Sequence, residues 1–100
     1  HTIVYMNPAA CKSYEKYGGE DLVSKSILDC HNEHSAAAIK TVAAAFEKNP
    51  KLNRVFTFHN EKQNKDVYMI ALRDETGELL GYYEKHEYRN HETCERYKLD

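Results

Sequence analysis

The chain has no tryptophan, only three phenylalanines, two prolines and four glycines. With so few large rings, any core must be filled mainly by aliphatic, alanine and tyrosine side chains. Internal repeats and low-complexity tracts are absent. No apolar run approaches the roughly 20 residues a helix needs to cross a bilayer, so no membrane partner is expected. No serine sits in a G-x-S-x-G elbow, and Gly18-Gly19 alone does not make a phosphate loop. His31-Asn32-Glu33-His34 has only fragments of the zincin signature, which needs Glu directly after the first His and the second His four residues on. Neither sign of charge dominates. A net charge of −2 is not that of a dedicated nucleic-acid coat.

What is present is enough for one domain over residues 1–100, and too little for two self-supporting cores. Hydrophobic residues make up 41%, too many for disorder, and eight tyrosines point to a wet, tyrosine-rich surface. Three cysteines are an odd count, which favours a reducing, cytoplasmic setting; secretion would go with a disulfide between two of Cys11, Cys30 and Cys94.

Thr2-Ile3-Val4-Tyr5-Met6 reads as a strand stopped by Asn7-Pro8. After Gly18-Gly19, apolar residues from Leu22 to Phe46 return at helical intervals, and no proline interrupts residues 20–49. That span reads as one long helix, or as two with Asn32 or Ser35 capping the second. Strands are expected at 54–59, 67–73 and 78–85, the last two joined by an Asp74-Glu75-Thr76-Gly77 hairpin turn. Residues 87–100 read as an edge strand or a tail. The expected architecture is α+β: an antiparallel sheet of three to five strands in the order β-α(α)-β-β-β, with the helices packed on one face.

Several constellations compete for function. Cys30-x3-His34 on a helix face, with His91-x2-Cys94, would supply four zinc ligands; zinc is the one cofactor considered. Against it stand the unfamiliar order of the pairs and the ordinary role of cysteine as a small core residue. His59 and His86 close two strands and would meet at a sheet edge, with Glu84 nearby, in a histidine-based hydrolase. Lys51, Arg54, Lys62 and Lys65 form a basic segment suited to nucleic acid. It includes Phe56 and Phe58, which by two-residue spacing share a face with Arg54 and are expected to look into the core. Tyr68, Tyr82, Tyr83 and Tyr88 are candidates for contacting another protein or a second copy of the chain. The leading expectation is a non-catalytic protein-interaction or regulatory domain, adaptor- or inhibitor-like.

Overall fold

The computed structural model describes residues 1–97. The fold is α+β, with a helical first half followed by a three-stranded antiparallel sheet. The chain divides into two compact units between Ala45 and Phe46.

In the first unit, the expected strand at 2–6 is reduced to a single antiparallel bridge, Thr2 with Ser26. The extended N-terminal residues pair with the 24–27 segment: Ile3 N–H donates to the Lys25 carbonyl at 2.8 Å, and Ser24 N–H to the Ile3 carbonyl at 2.7 Å. Pro8 does not merely stop this run. It opens helix α1 (Pro8–Ser13), where its missing N–H costs nothing, and the Asn7 side chain caps the turn by accepting from Ala10 N–H at 2.8 Å.

The expected helix over 20–49 breaks into short 3-10 turns, Gly19–Leu22 and Ile27–Cys30, and then helix α2 (Glu33–Lys48). Ser24, at φ 81°, turns the chain out of helical geometry between the two turns. Asn32 caps α2, its side-chain oxygen accepting from Ser35 N–H at 2.8 Å. The two-helix alternative thus had the right cap, with the first helix reduced to separate turns. Along α2, Ile39 and Phe46 are buried and seven residues apart, on one face.

The second unit carries β1 (Arg54–Asn60), β2 (Lys65–Arg73) and β3 (Leu79–Tyr88), in spatial order β1-β2-β3. The hairpin turn forms as its residues require. Asp74 Oδ1 accepts from the backbone N–H groups of Thr76 and Glu78, at 2.9 and 3.0 Å, and Gly77 supplies φ +88°. Val67, Tyr68 and Met69 of the central strand are buried. Beyond Tyr88 there is no further strand among the described residues; residues 98–100 of the expected edge strand or tail lie outside them.

Candidate binding face

Cross-strand partners share a face of a sheet, so the pairing register maps each side chain to one side. On one face, β1, β2 and β3 contribute three successive rows: Arg54–Ile70–Tyr83, Phe56–Tyr68–Lys85 and His59–Asp66–Glu87. Leu72 and Gly81 extend it at one end, where nothing lies within 4 Å of a Cβ added at Gly81. The opposite face carries Val55, Val67, Met69, Tyr82, Glu84, His86 and Tyr88.

Getting Phe56 and His59 onto the same face requires an odd step, which a regular strand cannot make. The register shifts between Phe56, opposite Tyr68, and Phe58, opposite Val67, so Thr57 is the extra residue of a β-bulge. The two phenylalanines therefore do not share a face, contrary to their two-residue spacing. They do not fill the core either: both are more than half exposed, Phe56 at 59%.

The rows are knit by polar contacts. Asp66 accepts from His59 Nδ1 and from Arg89 Nε, each at 2.6 Å; Arg89 also reaches Glu87 at 2.8 Å and donates to the Tyr68 hydroxyl at 2.5 Å. Tyr68, 5% exposed, is roofed by the Arg54 guanidinium, 4.2 Å from its ring centroid, and touched by Phe56 at 5.4 Å between centroids. The hydrogen bonds from Arg89 and then His59 hold the Asp66 carboxyl below its ordinary value of 3.8. A folded-state value below the unfolded one stabilises the fold above the ordinary carboxyl range and ceases to do so as pH falls through the folded value. Asp66→Asn should therefore be less stable than the wild type at neutral pH, with the gap closing below about pH 4. Urea unfolding of both chains across the acid range tests this, and a gap that stays constant would refute it.

The four candidate tyrosines divide between the faces. Tyr68 and Tyr83 lie on the Arg54 face, Tyr82 and Tyr88 on the other. Tyr83 is exposed at 45%; Tyr82 is partly covered, and burial, with the Glu84 charge second, pushes its hydroxyl up to about 12. The basic candidates scatter as well. Lys51 and Lys62 lie in the segments before and after β1, and Lys65 is buried with its ammonium 5.8 Å from the Tyr88 ring centroid. Only Arg54 of the four belongs to the face just described. His59 and His86 do not converge: they sit on opposite faces, His59 with Asp66 and His86 3.7 Å from Glu84.

The zinc proposal also meets a different geometry. Among the described residues, no three His, Cys, Asp or Glu side chains group to hold a metal ion, so Cys30, His34, His91 and Cys94 form no such centre. Cys30 ends a 3-10 turn while His34 lies in the first turn of α2, so they do not share one helix. The Cys30 thiol is buried, 3.2 Å from the Ile27 carbonyl and 3.3 Å from His31 Nδ1. No disulfide joins Cys11, Cys30 and Cys94; a hydrogen bond to Glu92, with its charge, pushes the exposed Cys94 thiol up, away from reactivity. No helix among the described residues is long and apolar enough to cross a membrane.

Sequence reasoning missed Asp66 and Arg89. They are 23 positions apart, and only the register of β2 with β3 brings them together. No family model, curated protein or solved structure matches this chain.

Proposed function

We propose that the chain is a non-catalytic protein-binding module that docks its partner on the Arg54–Phe56–Tyr83 face of the sheet. The observation that carries this is the exposure of Phe56 and Tyr83 on one face, on either side of the buried Tyr68. Large, stiff aromatic side chains left in water on a hydrogen-bonded strand framework are the usual anchors of protein interfaces. Leu72, also exposed, widens the apolar area, and the open space above Gly81 lets a partner approach the backbone.

Charge favours a protein over a nucleic acid. Arg89 is committed to Asp66 and Glu87, and Lys85 lies 3.6 Å from Glu87, so the cations on this face already have carboxylates beside them. Arg54 is the exception, with no ion pair among the described residues. A partner that lays an apolar side chain between Phe56 and Tyr83 and a carboxylate against Arg54 matches this arrangement.

Affinity capture with the full chain, followed by titration of the captured partner, tests the reading. Phe56→Ala and Tyr83→Ala are each expected to weaken the complex at least about tenfold, while His59→Ala, at the far row, changes it little. A complex that ignores both aromatic truncations would overturn this face. Binding that instead falls steeply with salt and with loss of Lys51 or Lys62 would point to nucleic acid.

A further inference from the structure

We infer that a second copy of this chain pairs antiparallel along the outer edge of β3, with the two-fold axis at His86. This rests on the reading of the chain as a protein-binding module and names one of its partners.

The two edges of the sheet differ. β1 is broken by the bulge at Thr57, a feature that blunts strand addition. β3 pairs with β2 without interruption from Gly81 to Tyr88, and among the described residues no second strand pairs with it. A long regular edge is a template for another strand. In a two-fold dimer the same edge must complement itself, so residue i faces j while j faces i. Facing residues share a sheet face, which places the axis at a residue of β3.

The sequence of β3 then selects the residue. An axis at Glu84, Lys85 or Glu87 opposes that charge to its own copy. An axis at Tyr82 or Tyr83 leaves Lys85 and Glu87 facing uncharged residues, and one at Tyr88 has no strand left to pair. With the axis at His86, Lys85 faces Glu87 of the other copy twice over, Tyr83 faces Arg89, and Glu84 faces Tyr88. Within one chain Glu87 Oε1 accepts from Arg89 at 2.8 Å, while Lys85 Nζ stands 3.6 Å from Glu87 Oε2, too far for a hydrogen bond, so the Lys85 ammonium and Glu87 Oε2 keep capacity for a partner across the edge.

Sedimentation and native mass spectrometry of the full chain test this. The wild type is expected to form dimers, with the dimer dissociation constant raised about tenfold in K85E and in E87K, since each turns two attractive cross-strand pairs into repulsive ones. An equimolar mixture of the two variants should recover a dimer as the heterodimer, and the double variant K85E/E87K should recover the homodimer. A wild type that stays monomeric at every concentration, a dimer indifferent to both variants, or a mixture that fails to recover would each overturn the edge pairing. A wild type that is monomeric, and whose partner binding is lost in Phe56→Ala, would overturn the pairing and leave the proposed binding face standing.

Discussion

Replacing Arg73 by alanine is expected to cost about 3 kcal/mol of folding stability, because one guanidinium serves several carbonyl groups that have few other partners. Its Nη2 donates to the carbonyls of Phe46, Asn49 and Leu52 at 2.8, 3.1 and 3.0 Å. Nη1 reaches the Gly77 carbonyl at 3.2 Å, and Nε the Asn53 side chain at 2.7 Å. Phe46 lies in the last turn of α2, where carbonyls lack intrahelical N–H donors and the helix dipole is negative, so a fixed cation there is doubly favourable. The same side chain ties the loop leading to β1 and the hairpin turn to the end of β2. Arg73→Lys should recover less than half of the loss, since an ammonium is a point donor without the planar fork. Urea unfolding midpoints of the three chains settle it; equal midpoints for Arg73→Lys and wild type would mean that charge alone is at work.

Truncation of Phe46 is expected to be at least as severe. Its side chain is fully buried, the largest such side chain in the described residues, and the chain has only two other phenylalanines, both exposed. Phe46→Ala removes a whole ring and leaves a cavity that a thin core refills poorly, a loss of about 3–5 kcal/mol. Set against a typical total of about 5–15 kcal/mol, that leaves little of the fold at physiological temperature. Phe46→Leu keeps most of the apolar volume and should lose clearly less. Thermal unfolding followed by circular dichroism ranks the pair. If alanine and leucine prove equally tolerated, the ring is not a core element.

These two residues also mark what the sequence made legible. Phe46 follows from helical periodicity, and the Asp74–Gly77 turn from its own chemistry, because both depend on neighbours a few residues away. Asn32 as a cap is legible for the same reason. Asn7-Pro8 carried a readable start signal too, a capping side chain before an N-terminal proline, but the β-branched run before it suggested only a stop. Whether that run joins the sheet is decided by distant segments, and residues 24–27 capture it instead. The helix expected from residue 20 onward failed at Ser24, whose positive φ has no signal in a serine. The proposed binding face was the least legible feature. Its membership turns on one extra residue, Thr57, that reverses the sidedness of everything after it in β1, and on a register that carries Arg89 to Asp66. Composition and spacing encode neither.

The sheet is a meander, each strand joined to its spatial neighbour by a short link, residues 61–64 and 74–78. Every strand pairing is therefore between segments adjacent along the chain, and closing such small loops sacrifices little chain entropy. Contact order within the sheet is low, and with it the kinetic barrier that usually slows β structure. The strands that bear the aromatic face can assemble early, as two successive hairpins, before any long-distance search begins.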